Sequence, residues 1–165
     1  MSTEDSQYLK TSLHYTQKTL DRQVDGIDTV KTNIRAVLSA ASLIVSLVSA
    51  MQFLTLKIDT NWIWLYHSGV IATAVLYVAL IVVCIMGLWP TYVVGPVKTD
   101  WDELTTAFKG LSERDALAKE LSAVLNAIEL NSPIVKRYRN LQMIALALLP
   151  LIVILMLLMA LIPRV

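Results

Sequence analysis

Three aspartates near the start of the chain are the first residues whose spacing suggests chemistry. Asp21, Asp25 and Asp28 recur three or four residues apart, so they share one face of a helix, where carboxylates can bind a metal ion. Arg22 and Lys31 lie among them at intervals that favour salt bridges along a helix. The pattern therefore favours a solvated charged face, and we predict no metal site here.

Residues that could serve catalysis are scarce. The chain has two histidines and a single cysteine, Cys84, which lies inside an apolar run. A lone cysteine excludes a disulfide within the chain. The sequence also lacks a glycine-rich phosphate loop, a paired-histidine zinc motif and a serine elbow of the hydrolase type. We therefore predict that the protein is not an enzyme and that it carries no cofactor.

A polar stripe lies within the first apolar run. Four serines recur there three or four residues apart, within an arc of roughly 80° on one helix face: Ser39, Ser42, Ser46 and Ser49. Thr73 and Tyr77 share a polar face of the second apolar run. Small and hydroxylated residues let membrane helices pack closely and hydrogen-bond to one another. The alternative is that several copies of the chain turn these residues inward and line a polar conduit.

The composition indicates that membrane helices carry these residues. Hydrophobic residues make up 56% of the chain and charged residues only 16%, against about 45–50% and about 25% in ordinary soluble domains. The formal net charge of +1 gives no electrostatic reason to expect nucleic-acid binding. These values predict an all-α integral membrane protein, and they argue against a disordered chain or a soluble enzyme.

Three apolar runs are long enough to cross a bilayer core of about 30 Å. We predict transmembrane helices at 36–56, 62–89 and 141–162. The other segments are an N-terminal helix at 1–35 and a helical segment at 98–140. Because the polar N-terminal segment is much longer than the basic start of a signal peptide, we expect the first run to stay in the membrane.

The distribution of Lys and Arg predicts the orientation. These residues are concentrated in 1–35 and 98–140, whereas the other two polar stretches contain one each, Lys57 and Arg164. Cytoplasmic segments are enriched in Lys and Arg, so we place the N-terminus and the segment 98–140 in the cytoplasm. No charged residue or histidine lies deep in a span, which argues against an ion-coupled transporter.

Helix signals are present in both cytoplasmic segments. Apolar residues spaced three, four or seven apart predict an amphipathic helix at 8–35, which has no proline and can continue into the first span. Ser112 and Asp115 match a capping box, and Gly110 suits the end of a short helix before it. Asn131, followed by a Ser-Pro pair, predicts a cap or kink ahead of the last span.

Two stretches resemble a known family. Residues 19–50 combine a polar helix, an Asp-x-x-Lys-small step at Asp28, Lys31 and Thr32, and the start of a membrane hairpin. Residues 120–149 contain a leucine-rich helix, an asparagine, basic residues and the last apolar run. The chain resembles the transmembrane effectors of Pycsar anti-phage systems and, next to them, the SLATT-type prokaryotic membrane effectors. Some descriptions of these effectors count four membrane helices, whereas this sequence predicts three.

The resemblance implies a function. Effectors of this kind are silent until a partner pyrimidine nucleotide cyclase makes cCMP or cUMP during infection. They then damage the bacterial inner membrane and stop the infected cell. The resemblance thus implies a multi-pass inner-membrane protein that forms homo-oligomers in the lipid bilayer, with the cyclase as a partner that acts through its product. In keeping with the net charge, we expect no nucleic-acid partner.

A sensor of a cyclic nucleotide needs positively charged side chains on the cytoplasmic side. The candidates there are Arg22, Lys31, Arg35, Lys136, Arg137 and Arg139. Tyr138 could stack on a base, because arginine and aromatic faces commonly hold nucleobases. The alternative is that these basic residues only anchor the spans at the cytoplasmic interface.

A second function fits the same sequence. The chain could be a membrane-anchored interaction subunit, whose cytoplasmic helices dock a partner and whose spans have no pore activity. The two functions differ in toxicity, because an anchor should be harmless when it is expressed alone with any nucleotide.

Overall fold

Three long helices make up most of the protein. The computed structural model describes residues 3–53, 60–95 and 110–162. The helices are α1, Thr3–Phe53; α2, Ile63–Leu88, preceded by a 3-10 turn at Thr60–Trp62; and α3, Glu113–Ala160. The predicted all-α class is thereby confirmed. The short helix predicted before Gly110 lies outside the described residues.

Each of the three helices contains a stretch long and apolar enough to cross a membrane. Helix α2 matches the predicted run 62–89 to within one residue at each end. Helix α1 continues without a break from the polar N-terminal segment into the first apolar run, as the absence of proline predicts. The apolar stretch of α3 forms the second half of that helix.

Of the cap or kink predicted at Asn131, the cap is wrong. Helix α3 runs through Asn131 and Pro133 without interruption. The carboxamide of Asn131 does not cap a helix terminus, because it hydrogen-bonds to the backbone of Val94. Pro133 has a fixed φ within the helical range, so a long helix can include it, but it removes one backbone hydrogen bond and its ring crowds the carbonyl four residues earlier, which favours a bend.

Buried side chains recur every seven residues along the helices. In α1 they are Leu13, Leu20, Ile27, Ile34 and Ala41. In α3 they are Val124, Asn131, Tyr138, Ala145, Ile152 and Met159. In α2 they are Thr73, Leu80 and Gly87. A seven-residue period corresponds to 3.5 residues per turn, which is typical of helices that pack side by side over a long distance.

The chain divides into two compact units. The first unit is Met1–Thr29 with Thr91–Arg137, and the second is Val30–Pro90 with Tyr138–Val165. Helices α1 and α3 each contribute to both units, whereas α2 lies wholly in the second.

In the first unit, the early parts of α1 and α3 run parallel to each other. Lys10 forms an ion pair with Glu113 at 2.7 Å. Two turns later, Gln17 donates a hydrogen bond to Glu120 at 3.1 Å. Both helices advance by seven residues between these contacts, which fixes their parallel direction and register. The core between them is formed by Leu13, Leu20, Val124 and Ala127.

In the second unit, α2 runs antiparallel to its two neighbours. Gly87 lies so close to α1 that an added Cβ atom would meet the side chain of Ile34. Gly69, at the other end of α2, faces Met159 of α3, and an added Cβ would lie 2.9 Å from it. Small residues at such positions let helix backbones approach closely. The core is formed by Ile34, Val37, Ala41, Leu80, Cys84, Ala145, Ile152, Met156 and Met159.

Candidate functional site

The serine stripe of α1 is divided by the packing of the second unit. The hydroxyl of Ser42 donates to the carbonyl of Leu38 at 2.9 Å, and its oxygen lies 3.0 Å from the hydroxyl of Tyr77 on α2. Because Ser42 has only one proton and directs it to Leu38, Tyr77 is the donor in the contact between the two hydroxyls. This part of the stripe joins α1 to α2 within one chain.

The other serines are placed differently. Ser39 and Ser46 are exposed on the surface of the chain, and Ser49 is half-buried. Thr73 is buried, and its hydroxyl donates to the carbonyl of Gly69 at 2.8 Å. The serines of the predicted arc therefore have different environments. Ser42 contacts α2 within the chain, whereas Ser39 and Ser46 face outward and are called the outward pair.

Three elements of the second unit meet at Tyr138. The ring is 2% exposed, and the hydroxyl donates to the carbonyl of Trp89 at 2.8 Å. The ammonium of Lys31 lies 5.5 Å from the ring centroid, which is within the range of a cation–π interaction. Trp89 is the C-cap of α2, so Tyr138 provides a hydrogen bond where that helix ends. In this arrangement the ring of Tyr138 offers no open face to a base.

The six candidate anion-binding residues do not all belong to one unit. Lys31, Arg35 and Arg139 lie in the second unit, and the other three, Arg22, Lys136 and Arg137, lie in the first. All are exposed except Lys31, which is half-buried against Tyr138. We call the three residues of the second unit the basic collar.

Asn131 has a role that its local sequence does not predict. Its side chain is completely buried in the first unit. The Oδ1 atom accepts a hydrogen bond from the backbone N–H of Val94, and the Nδ2 atom donates one to the carbonyl of the same residue, both at 2.9 Å. The signal that could have indicated this role is the seven-residue period of α3, in which Asn131 is a polar residue at a core position.

The predicted start of α3 is confirmed. The hydroxyl of Ser112 donates to the carboxylate of Asp115 at 2.7 Å and accepts from the N–H of Asp115 at 3.3 Å. The second contact is the N-cap half of a capping box, and in the first the acid bonds to the hydroxyl of Ser112. Gly110, three residues before α3, has a φ of +84°, a conformation that glycine adopts without strain.

Metal ligands are not clustered in the described part of the chain. Among residues 3–53, 60–95 and 110–162 there is no group of three or more His, Cys, Asp or Glu side chains able to hold a metal ion. Asp21, Asp25 and Asp28 are exposed, as expected for a solvated face.

Comparison with known proteins gives no match: no family model, no curated protein and no solved structure matches the chain.

Proposed function

We propose that this protein is a membrane-disrupting effector of a Pycsar-like anti-phage system. In this proposal several copies assemble in the bacterial inner membrane, with the N-terminus in the cytoplasm. A cyclic pyrimidine nucleotide, cCMP or cUMP, made by a partner cyclase during infection converts the assembly from a closed to a permeable state, and loss of membrane integrity aborts the infection.

The observation that carries this proposal is the outward position of Ser39 and Ser46. Both lie in an apolar stretch suited to crossing a membrane, and both are exposed rather than packed against the other helices of the chain. Polar groups on such a surface are stabilised by neighbouring helices or by water. Copies that bring these faces together would form a polar path through the bilayer.

The basic residues supply the proposed response to a nucleotide. A ligand shifts a conformational equilibrium only when it binds one state better than the other. Both cytoplasmic segments contribute cations, among them Arg22 on α1 and Lys136 on α3. A phosphate held between α1 and α3 would favour the arrangement in which these cations are close, and the same two helices continue into the apolar stretches.

One observation favours the alternative function, a membrane-anchored interaction subunit. The parallel helix pair of the first unit has large side chains on its surface: Tyr8 is 74% exposed, Tyr15 67% and Leu125 53%. Such residues are suited to contact another protein. In this alternative the chain docks a partner in the cytoplasm and does not change the permeability of the membrane.

Expression in bacteria separates the two functions. Cells would express the chain with an active pyrimidine cyclase, and a fluorescent dye would report the membrane potential. We expect depolarisation only when both proteins are present, and we expect it to be lost when Ser39, Ser42, Ser46 and Ser49 are all replaced by leucine. Depolarisation that persists in this variant would mean that the serines serve only packing, and an unchanged potential in cells with the wild-type chain would favour the anchor.

A matched control keeps the leucine result interpretable. Ala36 and Ala50 are exposed positions of the same helix outside the serine stripe. Their replacement by leucine enlarges the surface of α1 without removing a hydroxyl, so this variant should still depolarise the cells.

A further inference from the structure

We propose that the basic collar, Lys31, Arg35 and Arg139, binds the phosphate of an anionic phospholipid. The inference rests on the membrane placement proposed above, but it does not depend on nucleotide activation. It assigns to these three cations a ligand that belongs to the bilayer itself.

The basic collar lies at the end of α2. The ammonium of Lys31 lies over the ring of Tyr138, and the hydroxyl of Tyr138 reaches the carbonyl of Trp89 at the end of α2. Ile34, which precedes Arg35, packs against Gly87, two residues before Trp89. Residues of α1, α2 and α3 therefore meet where α2 stops.

Apolar surface adjoins the collar. The apolar runs of α1 and α3 begin directly after the collar, at Ala36 and Leu141. Met143, one turn beyond Arg139, is 60% exposed. A phospholipid likewise has a charged phosphate next to apolar acyl chains, so it matches a surface on which cations adjoin exposed apolar residues. A soluble nucleotide has no apolar tail that could occupy the surface next to the cations.

The second unit has a net positive charge. Its described residues, 30–53, 60–90 and 138–162, contain no Asp or Glu, and the acid nearest to the collar in sequence is Asp28, three residues before Lys31 on α1. The carboxyl end of α2 carries a partial charge of about −0.5 and has no basic residue of its own in the last turn. Without the collar, this end would repel the phosphates of an anionic membrane.

The groups that would face the lipid are exposed. Arg35 and Arg139 are exposed, and so is the indole of Trp89, at 65%. Tryptophan is enriched at the level of lipid headgroups, where its ring is partly in contact with apolar groups. Tyr138 holds the backbone of Trp89, so the indole stays at the same level as the cations.

The experiment measures which lipid the intact chain prefers. The full chain would be reconstituted in phosphatidylcholine vesicles that contain a trace of spin-labelled phosphatidylglycerol or spin-labelled phosphatidylcholine, and electron spin resonance would report the fraction of label immobilised by the protein. We expect wild type to prefer the anionic lipid at least about eightfold, with each Lys or Arg that is lost lowering the preference about two- to fivefold. The triple variant Lys31→Gln, Arg35→Gln and Arg139→Gln should show almost no preference.

A second triple variant controls for total charge. Lys18, Arg114 and Lys119 lie in the first unit, outside the collar. Their replacement by glutamine removes the same number of charges and should leave the lipid preference within about twofold of wild type. Millimolar cCMP or cUMP should not release the immobilised phosphatidylglycerol, whereas about 0.5 M salt should weaken its binding because salt screens exposed charges.

Each contrary result has a distinct meaning. Equal binding of the two lipids by wild type, or an equal loss of preference in both triple variants, would overturn the lipid site. Release by millimolar cyclic nucleotide would overturn it as well, because the collar would then be a site for free phosphates. A chain that does not float with the vesicles at all would contradict the membrane placement, and with it the proposed function.

Discussion

The carboxamide of Asn131 forms two hydrogen bonds to the backbone of one residue, Val94. It accepts from the N–H and donates to the carbonyl, each at 2.9 Å, from a position with no exposed surface. Val94 belongs to an irregular stretch, whose polar backbone groups have no partners from regular secondary structure. Asn131 therefore holds this stretch against α3 as a neighbouring strand would.

Replacing Asn131 tests this contact. Asn131→Leu removes both hydrogen bonds and leaves the polar groups of Val94 beside an apolar side chain. We expect the free energy of unfolding to fall by about 2–4 kcal/mol, because buried polar groups without partners cost about 1–3 kcal/mol each. Denaturant titration in detergent would measure the loss, and hydrogen exchange should become faster at the amide of Val94. Asn126→Leu is the control, since Asn126 is exposed on the same helix; an equal loss in both variants would contradict the account.

Tyr138→Phe removes a single hydrogen bond and keeps the buried ring. The carbonyl of Trp89 loses its donor, so we expect a loss of about 0.5–1.5 kcal/mol in the free energy of unfolding. The control is Tyr92→Phe, because Tyr92 is 95% exposed and its change should have no measurable effect. A Tyr138→Phe protein as stable as wild type would mean that this hydrogen bond does not stabilise the fold.

Replacement by alanine should have opposite effects on protein stability at two glycines. Gly26 lies within α1 with nothing near an added Cβ atom, so Gly26→Ala should stabilise the protein by up to about 1 kcal/mol through helix propensity. At Gly87 the added Cβ meets Ile34, and we expect Gly87→Ala to destabilise by about 1–3 kcal/mol through overpacking. Thermal unfolding in detergent would compare the two.

A rescue variant checks the cause of the Gly87 effect. The atom of Ile34 nearest to the added Cβ is Cδ1, which Ile34→Val removes. The double variant Gly87→Ala with Ile34→Val should therefore be more stable than the Gly87→Ala single variant. If the second substitution only adds to the loss, the close approach of α1 and α2 at this point is not the reason for the glycine.

These elements also show which features of the fold can be predicted from sequence patterns. Hydrophobic runs predicted all three apolar helices, and a local pattern at Ser112 and Asp115 predicted the start of α3. Both signals depend on residues close together in the chain. The role of Asn131 depends on Val94, which is 37 residues away. An Asn-Ser-Pro sequence is typical of a helix start, but α3 continues through it. The contact with Val94 gives the buried asparagine a different role.

The serine stripe illustrates the same limit. Helical spacing correctly places its members on one arc of α1, but spacing does not say where the neighbouring helices lie. The position of α2 directs Ser42 to Tyr77 and leaves Ser39 and Ser46 on the surface. A single polar face in the sequence thus corresponds to two environments in the structure.

This division predicts different effects within the stripe. Ser39→Leu with Ser46→Leu should abolish nucleotide-triggered leakage and leave the stability of the chain nearly unchanged, since both side chains are exposed. Ser42→Ala should cost about 0.5–1.5 kcal/mol in stability through the lost contact with Tyr77, and it should retain leakage. Leakage assays and thermal unfolding on both variants would separate these effects, and a reversed pattern would exclude the outward pair as the polar path.

The most direct test of the proposed function is dye leakage from liposomes that contain only the purified protein. The vesicles would be titrated with cCMP, cUMP, cAMP and cGMP in parallel, with protein-free vesicles as the control. We predict that a cyclic pyrimidine nucleotide releases the dye at concentrations at which the cyclic purine nucleotides do not. Retention of the dye with all four nucleotides would contradict the claim that sensor and effector are combined in this one chain.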